Sequence, residues 1–130
     1  MRLKGFHLSL GSQLFKALGD ESRIRILHLI IRNTEMCISD LEQILDFTQT
    51  KTSRHLLYLK NAGLVGNRRK NQWTFYFISP EMDDLVMELL AFMEKDPTLV
   101  KDQEHYKTMY SNRALAVNKI EQLRYRSNEL

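Results

Sequence analysis

The sequence has few of the residues that cross-link a chain or restrict its backbone: one cysteine and two prolines in 130 residues. With Cys37 alone, no disulfide can form within the chain, and the reducing cytoplasm is the expected compartment. No apolar run approaches the ~20 residues that span a bilayer, so we expect no membrane partner. Residues 1–10 are a poor match to a signal peptide, because Gly5, His7 and Ser9 interrupt their apolar residues. Repeats and Gly/Ser linkers are also missing, and the length fits one domain with an appended helix.

Acidic side chains are missing from a long central segment. Between Asp46 and Glu81 there is none, whereas residues 48–79 carry six basic residues: Lys51, Arg54, Lys60, Arg68, Arg69 and Lys70. The rest of the chain has 13 basic and 16 acidic residues. A basic segment on a mildly acidic body concentrates positive potential on one face, which predicts a polyanionic partner. The alternative is a solvated face that lacks acids by chance.

Helical spacing of apolar residues predicts three helices before residue 46. Residues 9–33 are typical of two helices, the first ending at Gly19 and the second capped by Asp20. A short third helix is expected to begin at Ser39 or Asp40 and to bury its leucine and isoleucine side chains.

A fourth helix is predicted from about Gln49 to Asn61, with Thr48 as its N-cap. Its first turns are polar and its apolar residues lie toward the C-terminal half: Leu56, Leu57, Leu59 and Ala62. Gly63 is expected to end it. Two strands should follow, residues 64–68 and 72–78, with residues 69–71 at the tip of the hairpin.

The last third of the chain is predicted to be helical. Residues 81–95 are apolar nearly all round, more than the outer helix of a small monomer needs. Asp96 and Pro97 are a typical cap and first-turn pair, opening a segment that keeps helical spacing to about Arg126. We expect a winged DNA-binding and dimerisation domain at 1–95 and a C-terminal helical extension at 96–130, packed at a dimer interface.

This order of elements predicts a mainly α fold with a small β-hairpin, a winged helix-turn-helix with a long C-terminal helical extension. The N-terminal residues of a recognition helix meet base edges in the major groove, where a carboxylate would repel phosphates. The hydroxyls and amide of Gln49, Thr50 and Ser53 can bond bases or phosphates, and Lys51 and Arg54 supply charge. The hairpin tip would meet flanking phosphates or the minor groove through Arg68, Arg69 and Lys70.

Four successive blocks resemble the ArsR/SmtB family of bacterial winged-helix repressors: "LFKALGDESRIRIL", "CISDLEQIL", "TSRHLLYLKNAGLV" and "NRRKNQWTFYFI". The resemblance covers roughly residues 12 to 95. It implies a homodimer joined by its first and fifth helices, which binds an inverted repeat in double-stranded DNA and is released by an inducer. By position, the implied recognition-helix residues are Gln49, Thr50, Lys51, Ser53, Arg54 and His55, and the wing residues are Arg68, Arg69 and Lys70. For His55, packing inside the helix-turn-helix is an equal alternative to DNA contact.

The family's metal-sensing patterns are broken here. The thiol-based sensors carry two cysteines in a stretch resembling "ELCVCDL", whereas this chain reads "EMCISDL", with Ser39 in place of the second cysteine. One thiolate cannot build the soft site of three or four ligands that such ions prefer. The family's other common site needs histidines on the fifth helix, and residues 81–96 contain none. We therefore predict no metal and no cofactor. Cys37 is expected to be a buried thiol, with a redox-reactive cysteine as the alternative.

The sequence is compatible with more than one role for the extension and with more than one function. The extension could thicken the dimer interface, pair with a second helix or line a pocket for an unknown small-molecule inducer, and its tyrosines favour packing. A winged-helix module that binds another protein is the alternative function, with incidental DNA affinity. No phosphate loop or catalytic spacing is present, so we do not expect an enzyme.

Overall fold

A computed structural model of the protein describes residues 7–111. The helices are α1 (Leu8–Leu18), α2 (Glu21–Asn33), α3 (Ile38–Leu45), α4 (Gln49–Asn61), α5 (Asp83–Ala91) and α6 (Pro97–Ser111), and a 3-10 turn (Pro80–Met82) precedes α5. The strands are β1 (Glu35–Cys37), β2 (Val65–Lys70) and β3 (Trp73–Ile78). The mainly helical winged helix-turn-helix predicted from the sequence is confirmed. In this part of the chain, no helix is both long and apolar enough to cross a membrane.

The second helix, α2, lies at the centre of the fold. Ile26, Leu27, Leu29 and Ile30 are fully buried, and α2 packs against α1, α4, α5, α6 and the sheet. Asp20 caps it by accepting a hydrogen bond from the amide of Arg23 at 3.1 Å, as predicted. Burial of one whole side of an amphipathic helix is the main favourable contribution to such a small core.

The sheet has three antiparallel strands in the order β1-β3-β2, and the sequence predicted only two of them. The strand β1 has three residues, too few for an alternating pattern, and it is defined by its pairing with β3, in which Cys37 lies opposite Phe75. The hairpin itself is confirmed, but β2 extends to Lys70 and the turn consists of Asn71 and Gln72. Asn71 adopts a φ of 57°, a left-handed conformation that asparagine tolerates better than most residues.

The predicted fourth helix is confirmed, including both of its ends. The Thr48 hydroxyl accepts a hydrogen bond from the Lys51 amide at 3.1 Å. At the other end Gly63 adopts a φ of 79°, and the Leu64 amide returns to the carbonyl of Leu59 at 3.0 Å. This left-handed ending is the arrangement that favours glycine after a helix.

The fifth helix is shorter than predicted, and some of its apolar side chains are buried while others are exposed. Val86 and Leu90 are buried, whereas Met87 is 55% exposed and Phe92, just past the helix, is 85% exposed. On α1, Phe15 is likewise 74% exposed. Among the described residues, α1 and the end of α5 therefore each expose large apolar side chains.

The helix α6 packs against α2 and α3 of the same chain. Asp96 caps it by accepting from the Thr98 amide at 2.8 Å, and the guanidinium of Arg25 donates to both carboxylate oxygens of Asp102 at 2.9 Å. Residues 97–111 therefore pack against the winged domain through α2 and α3. The division of the chain between residues 95 and 96 stays a prediction. The predicted continuation of this helix to about Arg126 lies outside the described residues.

Candidate nucleic-acid interface

The helix-turn-helix is formed by α3, a three-residue turn and α4. The turn begins at Asp46 in the left-handed region with a φ of 56°, and the amide of Phe47 donates to the carbonyl of Glu42 at 3.1 Å. On α3, Leu41, Ile44 and Leu45 are buried. This packing leaves the opposite side of α4 free to face a ligand.

The exposed side of α4 presents two adjacent rows of side chains. Residues four apart on a helix lie on one face, so Gln49 and Ser53 form one row and Thr50 and Arg54 form the next, and all four are exposed. The first turn contains no acidic residue. The partial positive charge of the helix N-terminus adds to that of Arg54, so this surface suits an anion.

Lys51 lies beside the turn rather than in the middle of this surface. Its ammonium nitrogen is 3.9 Å from the centroid of the Phe47 ring, a cation–π contact. The side chain is half-buried. Its positive charge therefore stays near the N-terminus of α4, in a position suited to a phosphate rather than a base.

His55 is placed inside the helix-turn-helix. The side chain is 7% exposed, and its Nδ1 lies 3.5 Å from a guanidinium nitrogen of Arg23. Burial lowers its pKa, and the charges of Arg23, Arg54 and Lys51 lower it further against the opposing effect of Asp20. This placement supports the packing interpretation of His55 over a direct contact with DNA.

The three basic residues of the wing have three different environments. Arg69 is exposed, and its Nε donates to the carbonyl of Asn71 at 3.3 Å. Arg68 donates to both oxygens of the buried Glu35 at 3.1 Å. Lys70 is only 1% exposed, which corrects the expectation of a solvent-facing charge at that position. Successive residues of a strand point to opposite faces, so Arg69 lies on one face of the wing and the other two lie on the opposite face.

The face of the wing that carries Arg69 continues toward α4. Asn67, two residues earlier on the same face, accepts a hydrogen bond from the ammonium group of Lys60 at 3.3 Å. Sequence reasoning missed Asn67, because nothing in its local pattern marks it. Lys60, Asn67 and Arg69 together join the recognition helix to the wing with exposed or half-exposed polar groups.

Cys37 is buried at the end of β1. Its side chain is 1% exposed, and its sulfur lies 3.2 Å from the hydroxyl of Ser39. Burial raises the pKa of the thiol, and the negative charge of Asp40 raises it further. The thiol form is therefore favoured at neutral pH, which agrees with the buried-thiol interpretation.

The donors of this region do not match a soft-metal site. Cys37 is the chain's single cysteine, and Asp40 beside it accepts a hydrogen bond from the hydroxyl of Tyr110 on α6. Across residues 7–111, no three histidine, cysteine or carboxylate side chains converge to hold a metal ion.

Comparison with known proteins places this arrangement in context. Residues 20–66 match the family described as bacterial regulatory protein, arsR family. The chain is 42% identical over 77 residues to the arsenic resistance transcriptional regulator ArsR1 of Pseudomonas putida, and the match covers 59% of this chain and 60% of that protein. It is 37% identical over 84 residues to the HTH-type transcriptional regulator MJ1325 of Methanocaldococcus jannaschii, covering 65% of this chain and 91% of that protein.

Among solved structures, the homodimeric winged helix-turn-helix DNA-binding domain of Mb0332 from Mycobacterium bovis, a possible ArsR-family transcriptional regulator, aligns with a TM-score of 0.60. Its sequence is 26% identical, and the match covers 68% of this chain and 84% of that one.

Proposed function

Because this chain belongs to the ArsR family of bacterial regulatory proteins, we propose that it is a sequence-specific DNA-binding transcriptional repressor. It acts as a homodimer in the bacterial cytoplasm on an inverted-repeat operator. In each subunit α4 enters the major groove, and the wing lies over the adjacent backbone.

The observation that carries this proposal is the exposed, acid-free side of α4. Gln49, Thr50, Ser53 and Arg54 are all exposed at the N-terminal end of that helix. The guanidinium of Arg54 suits bidentate hydrogen bonds to a guanine, and the amide and hydroxyls suit bases or phosphates. Lys51 and Arg69 add phosphate contacts on either side. A surface for binding protein would gain nothing from excluding carboxylates here.

Dimerisation is supported by the exposed apolar side chains on α1 and at α5. Leu8, Phe15, Met87 and Phe92 are each more than half exposed, although large exposed apolar patches on a monomer are uncommon. A second copy of the chain is a suitable cover, since a two-fold axis places two recognition helices on one side of the dimer. Sedimentation equilibrium at micromolar concentration should give a dimer, and a monomer would contradict this step.

The inducer differs in kind from a soft metal ion bound by a cysteine pair. One thiolate per chain falls short of the three or four soft ligands that such ions prefer, and this chain has Ser39 in place of the second cysteine. A small organic molecule, an oxidant acting on Cys37, or no inducer at all are the alternatives, and burial of Cys37 favours the small molecule over the oxidant. Arsenite and cadmium should therefore fail to release the protein from its operator.

The test is fluorescence anisotropy with an operator selected from random DNA by the protein itself, beside a scrambled duplex. Tight binding to the operator that weakens steeply with salt would support the proposal, because each phosphate contact releases counterions. Equal and weak binding to both duplexes would favour the protein-interaction alternative.

Two substitutions separate base contacts from phosphate contacts. Arg54→Ala should cost about 1–3 kcal/mol on the operator and much less on scrambled DNA. Arg69→Ala should weaken both duplexes alike and reduce the salt slope by about one unit. An unchanged operator affinity in the first variant would remove Arg54 from the interface, and an unchanged slope in the second would remove Arg69.

A further inference from the structure

The guanidinium of Arg23, on α2, is bonded to the end of α1. Its Nε donates to the carbonyl of Ala17 at 2.8 Å, and one terminal nitrogen donates to the carbonyl of Lys16 at 2.9 Å. Carbonyls in the last turn of a helix have no amide four residues ahead to bond them. Arg23 supplies a donor to the carbonyl of Ala17 and a second donor to that of Lys16, which also accepts from the Gly19 amide at 3.2 Å. It thereby fixes the end of α1 to α2.

The same guanidinium also contacts α4. Its central carbon lies 4.0 Å from the centroid of the Tyr58 ring, and its other terminal nitrogen lies 3.5 Å from Nδ1 of His55. Because a guanidinium can only donate, this contact favours the neutral form of His55 in which Nδ1 accepts and Nε2 carries the ring hydrogen. Arg23 therefore contacts two successive turns of the recognition helix, at the buried His55 and the half-exposed Tyr58.

The backbone at Arg23 is held as well. Its amide donates to the carboxylate of Asp20, the N-cap of α2, at 3.1 Å. A side chain with four polar and ring contacts, starting from a capped first turn, has little freedom to move. One planar group thus joins α1, α2 and α4 with defined angles, which the single point charge of a lysine could not reproduce.

We propose that Arg23 is a positioning residue that sets the orientation of α4 relative to α1, and through it the distance between the two recognition helices of the homodimer. This rests on the proposed function, in which α1 forms part of the dimer interface and α4 reads DNA. Two recognition helices of a dimer must lie about 34–36 Å apart, one turn of DNA, to enter successive major grooves. A small rotation between α1 and α4 is doubled across the two-fold axis, so the contact that fixes this angle selects the operator spacing.

The test measures binding as a function of half-site spacing. The operator selected by the wild-type protein is compared with duplexes in which one or two base pairs are added to or removed from its centre. The wild type should lose roughly tenfold in affinity for each altered spacing, comparable to one or more mismatched base pairs. Arg23→Met and Arg23→Lys should bind the original operator roughly tenfold less tightly than the wild type does. At the altered spacings, each variant should bind only about threefold less tightly than it binds the original operator. Arg32→Met, an exposed arginine on the same helix, is the matched control and should behave as the wild type.

The outcomes separate positioning from simple stability. A variant at Arg23 that loses the same factor at every spacing, or Arg23→Lys that behaves as the wild type, would overturn the proposal. Should both Arg23 variants melt below the assay temperature, Tyr58→Leu removes the contact from the α4 side at a half-exposed position and should show a weaker flattening of the spacing profile. A spacing profile of Tyr58→Leu as steep as that of the wild type would then refute it. If the proposed function itself is wrong, the wild-type protein will select no operator from random DNA, and this result comes before any spacing is tested.

Discussion

Replacing Asp102 tests whether α6 is part of the winged domain's core. Asp102 lies on α6, and its side chain is 4% exposed while it accepts two hydrogen bonds from Arg25 of α2. Removing one partner of a buried ion pair commonly costs about 3–5 kcal/mol, because a charge is left buried without compensation. The side chain of Arg25 keeps 28% of its exposure, so water can reach it after the change. We therefore expect Asp102→Ala to lower the free energy of unfolding by about 2 kcal/mol.

The assay is thermal and urea unfolding of the full chain followed by circular dichroism. For a chain of this size, 2 kcal/mol corresponds to a fall in melting temperature of about 8 °C. Glu104→Ala, an exposed carboxylate on the same helix, is the control and should change the free energy by no more than about 0.5 kcal/mol.

Substitution of the other member of the ion pair, Arg25, should lower the free energy of unfolding further. Arg25→Met leaves the more buried member of the pair, the carboxylate of Asp102, without its partner, so it should cost more than Asp102→Ala. The double variant should be less damaging than the sum of the two, with a coupling of at least about 1 kcal/mol. A melting temperature of Asp102→Ala within about 2 °C of the wild type, as for the control, would refute the view that α6 stabilises the winged domain.

Three further changes have defined outcomes. Burial, and then the charge of Arg32, lowers the pKa of His28 below the ordinary value of about 6.5. The imidazole is therefore protonated at higher pH in the unfolded chain than in the folded one, so the free energy of unfolding should fall as pH drops below about 6.5. His28→Leu should flatten this pH dependence, whereas His105→Leu, at an exposed position, should not. Cys37, with its raised thiol pKa, should react with iodoacetamide at neutral pH far more slowly in the native chain than in urea, and equal rates would contradict its burial. Thr48→Ala removes the N-cap of α4 and should cost about 1 kcal/mol in urea unfolding; no loss would mean that the cap adds nothing to the helix.

The elements that the sequence predicted are those with local signals. Asp20 and Thr48 cap α2 and α4 with their own side chains, and Gly63 ends α4 in a conformation that other residues resist. The exposed face of α4 was also predictable, because helical periodicity separates Ser53 and Arg54 from the buried leucines. The wing's alternating aromatic residues marked β3 in the same way. Capping, turn and periodicity signals act within a few residues, so they can be read without knowing what lies across the fold.

What the tertiary structure decided involves residues far apart in the sequence. The strand β1 exists because its three residues pair with β3, about forty positions later. The wing's three basic residues look alike in sequence, but in the fold Arg68 forms an ion pair with Glu35 and Lys70 is buried. Among the described residues, Arg69 is therefore the one of the three that is exposed and has no ion pair. The packing of α6 on α2 depends on Arg25 meeting Asp102 across 77 positions. The sequence by itself determined the helices, the caps of α2 and α4, the end of α4 and the acid-free recognition surface, because local propensity and periodicity specify them. Which charges stay available to DNA, and how Arg23 joins α1 to α4, depended on which distant side chains compete for each group, and only the folded arrangement settles that competition.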